Sequence, residues 1–150
     1  MKLGVLVLSL LFVTAGQASQ KPAVPTSDPA PTAAQAKDIA TLQGDWMITW
    51  MNDQEIPAEA EAYLVFKGDK YEQWTGNQVD ERGSITIDVT STLKKIDLII
   101  TEGQSAGQTQ LGVYELTADT MTVALANPGS TVRPASLTMG DIYAVLKKAK

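Results

Sequence analysis

From Trp46 onward, apolar side chains fall at every second position in short runs, and most runs end in a turn signal. Trp46, Ile48 and Trp50 alternate with Met47, Thr49 and Met51 until Gln54-Glu55-Ile56-Pro57 breaks the strand. Ala62, Leu64 and Phe66 lead through Gly68-Asp69, a tight-turn signal, into Tyr71-Glu72-Gln73-Trp74, which predicts a hairpin. Gly76-Asn77 closes it. The rows Ile85-Ile87-Val89, Ile96-Leu98-Ile100, Tyr114-Leu116, Met121-Val123-Leu125 and Ile142-Ala144-Leu146 complete eight candidate strands. A period of two gives each strand one wet face and one buried face. Eight antiparallel strands close into a barrel that side chains can just fill, or that can hold one small ligand. The expected fold is therefore all-β, an eight-stranded antiparallel up-and-down barrel with these rows pointing inward.

The chain before the strands has a different composition. Met1-Lys2 is followed by an apolar run from Leu3 to Ala15, and Gly16 and Ala18 are small residues at the −3 and −1 positions of a cleavage site. This reads as a signal peptide over residues 1–18, because a membrane-spanning helix needs about 20 apolar residues. Residues 19–37 carry Pro22, Pro25, Pro29 and Pro31 among small and polar residues, the composition of a disordered linker. Ala33 to Leu42 are good helix formers, with Ile39 and Leu42 three apart and Gly44 as the stop. The domain proper is read from 38 to 150. The expectation is an exported protein, periplasmic or extracellular, with no membrane span once the signal is cut.

Composition removes several kinds of chemistry. The chain has no Cys and no His, which excludes Cys–His and Ser–His catalysis, His- or Cys-ligated zinc and any disulfide. Its net charge is −5, so its long-range field opposes nucleic acid and anionic membranes. Lys94-Lys95 and Lys147-Lys148 are isolated pairs at strand ends. The acidic residues do not show the spacing of a calcium loop. Asp80-Glu81 reads as a polar turn between Gly76 and Gly83, and Asp88, Asp97 and Glu115 fall outward by parity. No catalytic constellation, cofactor or metal site follows; a meeting of Glu72 and Arg133 at the barrel mouth is the one arrangement that would alter this.

Four residues are candidates for ligand binding, each with a structural alternative. Trp50 extends the Trp46 face toward the open end, where it lines either a cavity or the core. Trp74 precedes Thr75-Gly76-Asn77 and reads as a rim aromatic; because it lies opposite Tyr71 in parity, at most one of the two points inward. Tyr114, if inward, needs a partner for its hydroxyl, either a ligand or a protein group. Arg133 follows Asn127-Pro128-Gly129 in a loop and offers a planar fork either to an anion or to loop carbonyls and Asp141. Trp46 itself reads as core.

The short helical turn followed by Gly44-x-Trp46 resembles the first signature of lipocalin-like barrels. A wider set of motifs is similar to small exported lipocalin-like domains of unknown function, abundant in planctomycete bacteria. The set is Leu42-Gln43-Gly44-x-Trp46, Phe66-Lys67-Gly68-Asp69, Lys94-Lys95-Ile96-Asp97-Leu98, Gly112-Val113-Tyr114-Glu115-Leu116, Asp119-Thr120-Met121, Arg133-Pro134 and Val145-Leu146-Lys147-Lys148. It covers residues 38–149 and implies a fold, not an activity. Two positions depart from that pattern: Val89-Thr90-Ser91-Thr92-Leu93 replaces a longer Pro-rich approach, and Lys147-Lys148 stands where many members have Lys-Arg. In lipocalins a cation near the last strand packs over the signature Trp, so the resemblance implies Arg133 or Lys147 over Trp46.

Together these features lead to an expectation of a non-enzymatic exported barrel. Its function is either to bind a small apolar ligand inside or, with a filled interior, to contact another exported or envelope protein.

Overall fold

The computed structural model describes residues 29–150; the expected signal peptide and the expected linker up to residue 28 lie outside the described residues. Helix α1 spans Ala33–Leu42 and starts with a reciprocal capping box, in which Thr32 Oγ1 accepts from the Gln35 amide and Gln35 Oε1 accepts from the Thr32 amide. It thus takes in Ala33–Lys37, which composition assigns to the linker.

Nine strands follow: β1 (Gly44–Met51), β2 (Gln54–Glu55), β3 (Ala62–Lys67), β4 (Lys70–Thr75), β5 (Gln78–Asp88), β6 (Lys94–Glu102), β7 (Thr109–Leu116), β8 (Thr120–Leu125) and β9 (Ile142–Lys148). Apart from β2, each pairs antiparallel with the next, and β9 returns to pair with β1. The result is a closed eight-stranded up-and-down barrel, lipocalin-like in architecture, with one short helix. The two-residue β2 only extends β1 as a small hairpin. Closure removes the exposed sheet edges that favour edge-to-edge association.

The inward rows form the core, except that Val89 lies past the end of β5 and outside the core. Trp46, Phe66, Tyr71, Ile96, Tyr114 and Leu146 are among the largest fully buried side chains. Ile87, Leu116 and Ile142 lie at the barrel ends, half-buried against that core. Trp50 leaves its expected row and is 38% exposed. The cause is a bulge: Ile48 pairs with Leu146 but Trp50 pairs with Val145, so Thr49 is extra and the alternation inverts after it. Asp80-Glu81 is not a turn either: both lie within β5, which begins at Gln78, with Glu81 paired to Gln73 and Asp80 the extra residue of a bulge opposite β4.

Helix α1 lies across the end of the barrel where β1 begins. Leu42 is fully buried, and the Trp46 indole N–H donates to its carbonyl at 2.6 Å. At the opposite end Ile56, just after β2, packs against the core. The long β8–β9 connection folds back along the outer wall, where Pro134 is buried and the cross-strand partners Val113 and Ala124 are covered.

Candidate functional site

The structure sends the four sequence candidates to separate places. Tyr114 points inward at the helix-capped end. Its hydroxyl donates to Asp38 Oδ2 of α1 at 2.8 Å, and Lys94 Nζ donates to the same oxygen at 2.8 Å. Lys94 is the cross-strand neighbour of Tyr114 and also sits 5.8 Å from its ring centroid. Burial, then the Asp38 bond and charge, push the Tyr114 phenol well above its ordinary range. It remains a neutral donor engaged by the protein's own carboxylate.

Arg133 does not pair with Asp141, which instead caps the Asn127 amide. Its Nη1 donates to the Gly112 carbonyl at 2.7 Å and the Ile96 carbonyl at 3.3 Å. Asp97 Oδ1 lies 2.6 Å from the same nitrogen but receives no aligned hydrogen bond, because the hydrogens are aimed at the two carbonyls. The contact is an ion pair that fastens the loop to β6 and β7. The cation over Trp46 is neither Arg133 nor Lys147 but Lys148, the cross-strand partner of Trp46, 5.3 Å from the indole centroid. Its Nζ also donates to the Thr41 carbonyl at the end of α1. Parity explains the choice: Lys148 shares the inward face of Leu146, whereas Lys147 points out.

Glu72 and Arg133 have different partners. Glu72 Oε1 accepts from Arg82 Nε at 2.9 Å, and Arg82 Nη1 reaches Glu102 at 2.8 Å. The Arg82 bond, then the indole N–H of Trp74 on Oε2 at 3.0 Å, hold the Glu72 carboxyl below its ordinary range. Inside the barrel, Tyr71 donates to Glu81 at 2.7 Å; burial, then this bond, raise its phenol strongly. Tyr71 is the inward member of the Tyr71/Trp74 pair.

Trp74 therefore stands on the outer wall, where the sheet register builds a site that the sequence reading missed. Val79, Trp74, Tyr63 and Met47 are successive cross-strand partners on β5, β4, β3 and β1, and all four are half-buried. Beside them runs a second row, Arg82, Glu72, Val65 and Asp45, on the same strands. Between the rows lies an open groove of about 310 Å³, lined by Tyr63, Trp74, Val65, Lys67, Glu72 and Asp45, with Gly76 at one end. Its chemistry is an aromatic floor with carboxylate walls. Among the described residues no group of three or more acidic side chains is placed to hold a metal ion, and no helix is long and apolar enough to cross a membrane. No family model, curated protein or solved structure matches the chain.

Proposed function

We propose that this chain is an exported, non-enzymatic barrel that serves as a protein-interaction module and makes contact through its outer wall. The observation that carries this reading is the number of large side chains buried inside a small barrel. Trp46, Phe66, Tyr71 and Tyr114 project into a barrel of only eight strands, α1 lies across one end, and Ile56 packs against the core at the other. An apolar ligand inside would have to displace packed side chains and, at one end, break the Asp38–Tyr114 bond. The principal ionisable groups are tied to each other: Asp38 to Lys94, Asp97 to Arg133, and Glu72 to Arg82. That pairing suits a scaffold better than acid–base chemistry at neutral pH. The similarity to small exported lipocalin-like domains and the N-terminal signal pattern support the extracytoplasmic setting.

The test is to titrate the folded chain with an apolar fluorescent probe of the N-phenylnaphthylamine type while following Trp emission. The expected result is no saturable transfer from Trp46, the buried indole. Stoichiometric, saturable binding with transfer from Trp46 would replace this reading with an interior ligand binder.

A further inference from the structure

We propose that the Tyr63–Trp74 groove docks an extended basic segment of a partner protein, seating an arginine or lysine side chain against the aromatic pair. The proposal rests on the interaction-module reading and gives that module a partner chemistry.

Three observations converge on a cation. First, the two aromatic rings are directly opposed across the β3–β4 hairpin. Trp74 is pinned through its indole N–H to Glu72, which is itself anchored by Arg82. A ring held in place before binding loses little freedom when a cation settles on its face. Second, the groove carries carboxylates at both ends. Asp45 is exposed at one end, and at the other Glu61 brings Oε2 to within 3.8 Å of where a Cβ on Gly76 would stand. Among the described residues neither of these side chains takes part in a hydrogen bond or ion pair, whereas Glu72 is already neutralised by Arg82. Third, the chain as a whole carries a net charge of −5, which favours a basic partner over an acidic one. Lys67 lines the groove, Lys147, the outward cross-strand partner of Met47, stands beyond its Asp45 end, and Arg82 is shared between Glu72 and Glu102, so carboxylates remain in excess around the groove.

The shape favours a segment over a small ion. From Val79 to Met47 the half-buried row crosses three strand intervals, about 14 Å at the usual spacing. An extended peptide places same-side residues about 6.6–7 Å apart, so about three of them span the row. Aliphatic stems of Arg or Lys can lie on Met47, Val65 and Val79 while their charged heads reach Asp45 and Glu61. An acidic segment would meet those carboxylates, and an apolar one would cover them without compensation.

The experiment titrates the full mature chain with a terminally blocked heptapeptide of alternating arginine and serine, read by calorimetry at low and physiological salt. The control peptide has glutamate for arginine. Saturable one-to-one binding of the basic peptide alone is expected. Trp74→Ala leaves the net charge intact and should weaken it about tenfold or more, while Trp74→Phe restores most of the affinity. Glu61→Gln should weaken it several-fold, and Glu115→Gln, on the exposed face of β7, should not. Melting curves establish that each variant folds. No saturable binding, equal binding of the acidic peptide, or an unchanged affinity in folded Trp74→Ala overturns the groove. If a partner is captured from an exported fraction equally well by Trp74→Ala and by the parent chain, the groove falls and the module reading stands. Saturable binding of the apolar probe inside the barrel would remove the module reading itself.

Discussion

The hydroxyl of Tyr114, on β7, donates to Asp38, on α1, over 2.8 Å and 76 positions of sequence. The bond ties the helix to the barrel wall at a buried site, where an unpaired partner is costly. Tyr114→Phe should lower stability by about 1.5–3 kcal/mol, the range for hydrogen bonds to charged groups. Asp38→Ala should cost more, because it strands both the phenol and Lys94. A double-mutant cycle on chemical denaturation measures the coupling; additive effects would mean that the helix is held by Leu42 and Trp46 alone.

Two tryptophans only four positions apart should behave very differently. Trp46 is completely buried, and Trp46→Ala should cost about 3–5 kcal/mol. Trp50 lies beyond the Thr49 bulge and is 38% exposed, so Trp50→Ala should cost about 1 kcal/mol or less. Comparable losses in the two melting curves would contradict the bulge.

Alternation locates the barrel strands, and helix-forming residues with apolar spacing of three locate α1, because period, propensity and turn chemistry are local. The inward rows of β3, β6, β7, β8 and β9 follow from parity alone. Bulges are another matter: the extra Thr49 that turns Trp50 outward is a register property of the β1–β9 pair, whose partners lie almost a hundred positions apart. Sequence separation likewise conceals the Asp38–Tyr114 bond, across 76 positions, and the Trp46–Lys148 contact, for which the resemblance implies Arg133 or Lys147. The Tyr63–Trp74 pair was more accessible. A two-residue turn at Gly68-Asp69 fixes partners whose numbers sum to 137, as 67 and 70 do, and 63 and 74 share that sum. Reading Trp74 as a rim aromatic, rather than extending the hairpin register outward, concealed the groove.

Gly83 should tolerate no side chain. It is an inward position of β5 paired with Tyr71 and Ile100, and a Cβ there would strike the Ile99 carbonyl and come within 2.7 Å of the Tyr71 ring. Gly83→Ala should destabilise by about 1–3 kcal/mol or more, since backbone as well as side chain must move. Adding Tyr71→Leu should recover only the part due to the ring, as read from denaturation midpoints.

The two buried phenols set an alkaline limit. Tyr71 and Tyr114 have folded-state pKa values raised by burial and by carboxylate partners. Their neutral forms favour the fold fully below the ordinary tyrosine value of about 10, and this contribution declines as pH rises above it, where the unfolded chain ionises first. Ultraviolet titration should show these two tyrosines ionising only together with unfolding. Reversible ionisation of all four at about pH 10, with the fold intact, would contradict their burial.

The acid limit comes from carboxylates held in their charged form. Asp88 is lowered to about 2 by the Thr90 hydroxyl, the Thr90 amide and Lys95, in that order, and Glu72 is lowered by Arg82 and Trp74. A folded value below the unfolded one means a stabilising contribution that is complete above about pH 4 and lost as pH falls through the folded value. The melting temperature should therefore drop from about pH 4 down to about pH 2. Both groups are partly exposed to solvent, so added salt should weaken the Lys95 and Arg82 contributions while leaving the Thr90 bonds in place. Asp88→Asn should flatten the profile in that window more than Glu72→Gln does at high salt, because the Asp88 shift is led by neutral donors. An identical pH profile in Asp88→Asn and the parent chain would mean that the Asp88–Thr90 turn is not populated in solution.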